Sequence, residues 1–88
     1  MSYKIKFHKQ ALKDFEKIKQ TKTLYENVKR LIVLLSENPY QMPPPYEKLV
    51  GNLSGLYSRR INLQHRIIYD VNDKENTVRI FRMWTHYE

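Results

Sequence analysis

All four prolines of this chain of 88 residues lie in one short stretch, PYQMPPPY, at residues 39–46. Proline fixes its own φ angle and has no backbone N–H, so neither a helix nor a central strand can continue through the stretch. We expect a non-regular loop of extended, polyproline-like character there. The stretch is too short to link two domains, and a domain usually takes roughly 100–200 residues. We therefore predict that residues 1–88 form a single domain.

Before the loop, the apolar pattern predicts one strand and two helices. Residues 3–7 alternate apolar and basic side chains, as a half-buried strand does. Apolar residues then recur at helical spacing in two runs, the first over about residues 9–20. The second run follows Thr23, which we predict to cap its helix because Thr23 and Glu26 have the form of a capping box. This helix should end at Asn38, since a residue before proline avoids the helical region.

After the loop, the pattern is typical of strands. Residues 56–61, 65–71 and 77–83 are rich in β-branched and aromatic side chains, with turn signals between them. The predicted order is β-α-α-β-β-β, an α+β fold in which two helices pack on one face of a small, mostly antiparallel sheet. The other face would stay open. We expect that open face to carry the arginines of this part of the chain: Arg59, Arg60, Arg66, Arg79 and Arg82.

The charge of the chain favours a polyanionic partner. Sixteen Lys and Arg against nine Asp and Glu give a formal net charge of +7, which is a strong field for so small a domain. Nucleic acid, an anionic membrane and an acidic protein are the classes of partner that such a surface suits. A basic surface that serves only solubility is the alternative that charge alone leaves open.

Several classes of chemistry are excluded by what the sequence lacks. Without cysteine there is no disulfide framework, thiol nucleophile, Cys-ligated zinc or iron–sulfur cluster. The two glycines form no phosphate-binding loop and the three histidines have no zinc-site spacing, so we predict neither a metal nor a cofactor. The longest apolar run, Leu31 to Leu35, is far shorter than the ~20 residues of a transmembrane helix. We expect a cytoplasmic protein with no membrane association.

Arginine and aromatic residues in the strand-forming half suit single-stranded RNA. Arginine holds phosphate in a planar fork and stacks on bases, and Tyr57, Trp84 and Tyr87 are interleaved with the arginines. Packing in the core is the alternative for such aromatic residues. Strand alternation favours the core for Tyr69, because it places Tyr69 on the same face as Ile67.

Acid–base cleavage of RNA requires two further groups. One removes the proton of a 2′-hydroxyl, and the other protonates the leaving 5′ oxygen. Glu47 and His86 are candidates because both lie just outside the predicted strands, where catalytic groups often lie. By themselves they are a weak signal, since a histidine near the end of a chain is more often a solvated tail residue.

Three stretches of the sequence together resemble the Txe/YoeB toxins, which belong to the RelE superfamily of toxin–antitoxin systems. They are EKLVGNLSGLYSRRI at residues 47–61, HRIIY at residues 65–69 and HY at residues 86–87. The resemblance implies the α+β fold predicted above and a ribosome-dependent endoribonuclease, which enters the ribosomal A site and cuts mRNA there. The cut would proceed by attack of the 2′-hydroxyl on the adjacent phosphate, without a metal. A YefM-type antitoxin with an acidic segment is the implied partner, and a homodimer stays open.

The resemblance also implies roles for individual residues. Glu47 corresponds to the general base of the family and Arg66 to the arginine that steadies the phosphate. His86 corresponds to the general acid and Tyr87 to the tyrosine beside it. Glu88 departs from the family pattern, in which the tyrosine is often the last residue.

Further RNA contacts are expected from basic residues outside this set. Ser58, Arg59 and Arg60 match a basic strand of the family, and we predict that Arg60 and Arg59 contact RNA. Lys13 and Lys17 of the first helix should add affinity through their charge. Two other functions stay open: a non-catalytic toxin of the same fold, like the ParE toxins that poison gyrase, and a module that binds RNA or the ribosome without chemistry.

Overall fold

The structure, a computed structural model that describes residues 2–84, contains two helices and five strands. In chain order they are β1 (Lys4–Phe7), α1 (Lys9–Ile18), α2 (Lys22–Glu37), β2 (Glu47–Lys48), β3 (Tyr57–Arg60), β4 (Arg66–Asn72) and β5 (Thr77–Arg82). A short 3-10 helix, Gly51–Leu53, precedes β3. The predicted α+β fold is confirmed. β2, a strand of two residues directly after the proline-rich loop, adds to the predicted order.

The strands form one sheet in the order β1-β5-β4-β3-β2. The strands from β2 to β5 pair antiparallel with their neighbours, whereas β1 lies parallel to β5. In the β3–β4 pair, Tyr57 is opposite Tyr69 and Arg60 is opposite Arg66. Because successive side chains of a strand point to opposite faces, this register decides which residues of the two strands share a face.

The core lies between the two helices and one face of the sheet. The helices contribute apolar side chains at helical spacing, and β4 and β5 contribute alternate residues. The fully buried members are Ala11, Ile18, Val28, Leu35, Ile67, Tyr69, Val78, Ile80 and Met83. Tyr69 is thus a core residue, as predicted. Neither helix within residues 2–84 has the length and apolar character needed to cross a membrane.

Helix α2 begins earlier than predicted. It starts at Lys22 with Thr21 as the preceding cap residue, so Thr23 lies inside the first turn and the prediction that Thr23 caps the helix is wrong. The turn after α1 is closed by a hydrogen bond from the N–H of Thr21 to the carbonyl of Ile18, at 3.1 Å. The carbonyl of Thr21 then accepts from the N–H of Tyr25 at 2.9 Å. This tight turn returns the chain to helical backbone before Thr23 is reached.

The open face of the sheet carries fewer of the strand arginines than predicted. Arg60, Arg66 and Arg79 lie there. Arg59 is opposite Ile67 on the face that packs on the helices, and it is 1% exposed. Arg82 pairs with Ile68 beside a bulge at the end of β5, and its Nε donates to Oδ2 of Asp14 on α1 at 2.9 Å. Two neighbouring arginines of one strand cannot both face outward, because strand side chains alternate.

Candidate active site

Glu47 and Arg66 lie side by side on the open face of the sheet. Glu47 pairs with Ser58 of β3, and Ser58 pairs in turn with Ile68, two residues after Arg66 on β4. Arg66 therefore reaches across β3, and its Nη1 donates to Oε1 of Glu47 at 2.9 Å. The same Nη1 lies 3.5 Å from the hydroxyl oxygen of Ser58. The pairing of three strands thus brings together two of the predicted site residues.

A cleft of about 230 Å³ opens beside this ion pair. Its lining comes from the proline-rich loop and from β2, β3 and β4: Pro44, Pro45, Glu47, Ser58, Arg60 and Arg66. The side chain of Glu47 is 69% exposed and that of Arg66 is 27% exposed. The carboxylate therefore faces solvent, while the guanidinium lies against the sheet. Arg60, the third predicted site residue in this cleft, is exposed.

The cleft combines an acid–base group with groups that bind anions. The carboxylate of Glu47 can accept a proton, and the guanidinium groups of Arg60 and Arg66 can each hold two oxygens of a phosphate. A phosphate that enters the cleft competes with Glu47 for Arg66, and its binding would release the carboxylate. The part of the chain that the structure describes includes no group of three His, Asp or Glu residues that could hold a metal ion.

The predicted general acid lies outside the described residues. His86, Tyr87 and Glu88 follow residue 84, so their roles stay predictions. The ring of Trp84 stacks on that of His65, with 4.1 Å between the ring centres. His65 is itself buried, so its imidazole belongs to the packing of the sheet rather than to the cleft surface.

Arg59 does not line the cleft. Its guanidinium donates to three carbonyl oxygens of the proline-rich loop: Nη1 to Pro44 at 2.6 Å, and Nη2 to both Pro39 and Gln41 at 2.9 Å. Its Nε donates to the hydroxyl of Tyr69 at 2.9 Å. This placement contradicts the prediction that Arg59 contacts RNA, because its side chain is buried and its donors are bound to oxygens of the protein itself.

Lys13 and Lys17 are exposed on α1. That helix packs on the face of the sheet opposite to the cleft, so the structure does not bring the two lysines to Glu47 and Arg66. Lys17 is close in space to Trp84, the last described residue: its Nζ is 5.8 Å from the centre of the Trp84 ring. An RNA contact of these lysines would be separate from the contacts made in the cleft.

Asp14 of α1 is buried, although its place with Lys13 and Lys17 on the polar face of the helix predicts a solvated side chain. Its Oδ2 accepts from Nε of Arg82 at 2.9 Å and from the backbone N–H groups of Met83 and Trp84 at 3.0 and 3.3 Å. Burial by itself raises the pKa of Asp14, but the hydrogen bonds from Met83, Arg82 and Gln10 outweigh it and hold the pKa below its ordinary value. Asp14 therefore fixes the chain at the point where β5 ends.

Comparison with known proteins identifies the family. The family model described as "YoeB-like toxin of bacterial type II toxin-antitoxin system" matches residues 7–87. The protein "Toxin YoeB" of Synechocystis sp. is 37% identical over 54 residues, which are 61% of this chain and 63% of that protein. This alignment spans a little less than two thirds of the length of the curated relative.

Solved structures agree over nearly the whole chain. The YoeB–YefM toxin–antitoxin complex of Staphylococcus aureus, a heterotetramer, has a TM-score of 0.82 at 34% identity and covers 99% of this chain and 100% of that chain. A YoeB dimer of Staphylococcus aureus has a TM-score of 0.83 with the same identity and coverage. The match of the family model to almost every residue and the agreement in fold lead to one conclusion: the chain belongs to the family of YoeB-like toxins of bacterial type II toxin–antitoxin systems.

Proposed function

We propose that this protein inhibits translation as a ribosome-dependent endoribonuclease, which cuts mRNA in the ribosomal A site. The observation that carries the proposal is the pair of Glu47 and Arg66, an acid–base group and an anion-binding group in one cleft with Arg60. Membership in a family of toxins supports the same activity. Action on translated mRNA would place the protein in the cytoplasm.

The proposed reaction begins when the scissile phosphate enters the cleft. Arg66 exchanges its ion pair with Glu47 for oxygens of the phosphate, and Arg60 adds a second guanidinium. The freed carboxylate of Glu47 takes the proton of the 2′-hydroxyl, and the 2′ oxygen forms a bond to the adjacent phosphorus. The charge that grows on the non-bridging oxygens is stabilised by the guanidinium of Arg66.

His86 is proposed to complete the reaction. The bond from phosphorus to the 5′ oxygen breaks while His86 donates a proton to that oxygen, with Tyr87 beside it. The products are a 2′,3′-cyclic phosphate and a 5′-hydroxyl, so no water is consumed, and Glu47, Arg66 and His86 supply the base, the cation and the acid of the proposed step. Because both residues follow the described part of the chain, this step rests on the resemblance in sequence.

A YefM-type antitoxin is the proposed protein partner. The Staphylococcus aureus relative forms a complex with YefM, and the net charge of +7 suits an acidic antitoxin segment. Such a segment could cover Arg60 and Arg66 and thereby exclude RNA from the cleft. The dimer of the same relative supports a homodimer as a second assembly.

In vitro translation of a defined mRNA, followed by primer extension, tests the proposed function. We expect cuts within codons of translated message, no cuts in untranslated message, and none with the Glu47→Gln variant. A message with a 2′-deoxy sugar at the cut position should resist cleavage, because the nucleophile is absent. DNA breaks that depend on gyrase would instead indicate a ParE-like toxin. Ribosome binding without either product would indicate a non-catalytic binding module.

A further inference from the structure

We propose that Arg59 is a positioning residue, which holds Glu47 at the cleft by fixing the proline-rich loop of residues 39–46 from inside the protein. The inference rests on the proposed role of Glu47 as the base. Arg59 does not touch the substrate in this arrangement. It acts through the loop and through Tyr46, the residue directly before Glu47.

The first argument is the way in which one side chain joins distant points of the loop. The carbonyl oxygens of Pro39, Gln41 and Pro44 accept from two nitrogens of the same guanidinium. A proline has no backbone N–H to donate, so a loop rich in proline has few bonds of its own with which to hold its shape. The planar fork of Arg59 therefore sets the relative positions of the start, the middle and the end of the loop.

The second argument is a contact with the residue that precedes the base. The guanidinium carbon of Arg59 lies 4.8 Å from the centre of the Tyr46 ring, a distance typical of a cation–π contact. The Tyr46 ring packs edge-on against Tyr57 at 5.6 Å, and Tyr57 stacks on Tyr69 at 5.6 Å. This stack fixes the backbone from which Glu47 extends into the cleft.

The third argument is the place of Arg59 in the sheet. On one side of it in β3, Ser58 pairs with Glu47, and on the other side Arg60 is opposite Arg66. The backbone of β3 thus holds both halves of the ion pair on the open face. The side chain of Arg59 ties the loop to this same strand from the opposite face, so the loop and the strand move together.

The burial of the Arg59 guanidinium also supports a role in positioning the loop. Within residues 2–84, Arg59 forms no ion pair with Asp or Glu, and its charge is met by carbonyl and hydroxyl oxygens and by the ring of Tyr46. A buried charge is costly unless hydrogen bonds satisfy it, as these oxygens do for Arg59. What an apolar side chain cannot supply here is the set of directed hydrogen bonds to the loop.

The Arg59→Lys variant tests the inference, with Tyr40→Phe as the matched control. Lysine keeps the charge, but a single ammonium cannot reproduce the planar fork. Tyr40→Phe removes a hydrogen bond of 2.8 Å from the start of the same loop to Asp73 and leaves the contacts of Arg59 in place. For each variant we would measure KM and the saturating rate of cleavage on ribosomes programmed with mRNA. Hydrogen exchange would be measured at the amide of Leu49, which donates to the carbonyl of Leu56 beside β2.

We expect Arg59→Lys to lower the saturating rate by about 100-fold with little change in KM, because a displacement of about 1 Å at a catalytic group has an effect of this order. Exchange at Leu49 should become faster by about tenfold or more, since the loop and β2 open locally. Exchange at Ile61, whose amide donates to the carbonyl of His65 beyond β3, should stay unchanged. Tyr40→Phe should behave like the wild type in all these measurements.

Unchanged exchange at Leu49 in Arg59→Lys would overturn the inference, whether or not the protein is active. Faster exchange at Leu49 with an unchanged cleavage rate would overturn it as well. A wild-type protein that cuts no mRNA would refute the proposed function instead, and the exchange experiment would then decide the role of Arg59 alone. If Arg59→Lys does not fold, Tyr46→Leu removes the cation–π contact with Arg59 and the edge-on contact with Tyr57, and it should change exchange and rate in the same direction.

Discussion

Arg66 donates to Glu47 at 2.9 Å although the strands that carry them, β4 and β2, are separated by β3. In the absence of substrate, the negative charge of Glu47 and the positive charge of Arg66 therefore compensate each other. In the proposed reaction, a phosphate takes the place of Glu47 on Arg66, and the carboxylate becomes a stronger base when it loses this ion pair. Under that proposal, binding of RNA and activation of the base are linked in one exchange of partners.

Arg66→Lys should lose most of the cleavage activity although it keeps the positive charge. Lysine cannot hold two phosphate oxygens in a planar fork, and the charge on those oxygens grows toward the transition state. We expect the single-turnover rate to fall by about 10²-fold or more, as when one donor to a developing anion is removed. Arg79→Lys is the matched control, because Arg79 lies on the same open face and pairs with Asp70. Growth arrest by Arg66→Ala without antitoxin would show that the assignment of Arg66 is wrong.

Glu47→Gln should separate binding from chemistry. The amide cannot act as the base and no longer pairs with Arg66 as an anion, so we expect cleavage to be lost while ribosome binding stays equal or becomes tighter. Binding can be measured by equilibrium sedimentation with programmed ribosomes. Lys48→Gln, at the adjacent position of β2, should leave the cleavage rate close to that of the wild type. A Glu47→Gln variant that still cuts mRNA at the wild-type rate would remove Glu47 from the mechanism.

His86→Gln should slow cleavage by about 10²–10⁴-fold, the usual contribution of one positioned acid. The prediction can be made specific with RNA that carries sulfur in place of the 5′ bridging oxygen at the cut position. A thiolate leaves without being protonated, so this substrate should restore the rate of His86→Gln and leave that of Glu47→Gln low. Equal defects on both substrates would mean that His86 does not protonate the leaving group.

Asp14→Asn should lower the free energy of unfolding and make it depend less on pH in the acid range. The folded-state pKa of Asp14 lies below the ordinary value of 3.8. The stabilisation from Asp14 is therefore fully present above that pH and is lost as the pH falls through the lower folded value. At neutral pH we expect the free energy of unfolding to drop by about 1.5–3 kcal/mol, the range for hydrogen bonds to a charged group. Urea titrations of Asp14→Asn and of the exposed control Glu16→Gln, repeated from pH 7 to pH 3, provide the measurement.

Replacement of Lys13 and Lys17 by glutamine should weaken ribosome binding without changing the cleavage rate at saturation. Each phosphate contact contributes about −0.7 to the slope of log K against log salt for single strands, so the double variant should lose about 1.4 from the slope. Lys74→Gln, which removes one positive charge in the turn between β4 and β5, controls for the loss of charge at each lysine. An affinity that does not vary with salt in the wild type would show that the basic surface does not bind RNA.

Local sequence rules were sufficient to predict the features that depend on the backbone conformation of a single residue or on strand alternation. Pro39 ends α2 at Glu37, and strand alternation correctly places Tyr69 in the core. The same alternation separates Arg59 from Arg60 in β3, and it outweighs the expectation from charge that both face solvent. The buried role of Arg59 could therefore have been predicted from the strand pattern, whereas its bonds to the loop could not.

The remaining features depend on contacts between distant parts of the chain. β2 has only two residues and so shows no period of its own. Asp14 is buried because groups from Arg82 to Trp84 bind its carboxylate, and no local pattern around residue 14 indicates such partners. The distance between Glu47 and Arg66 likewise follows from the register of β2, β3 and β4, which the resemblance to a family suggests only indirectly.

The position of β5 has a consequence for the synthesis of the protein. β5 is the last strand of the described residues 2–84, yet it lies between β1 and β4 in the sheet. Lys4 of β1 pairs with Thr77 of β5, so β1 has no neighbouring strand in this sheet until β5 emerges. Long-range pairing of this kind cannot form before its later partner has been made. The folded sheet, and with it the cleft that it supports, is therefore completed only after β5 has emerged from the ribosome.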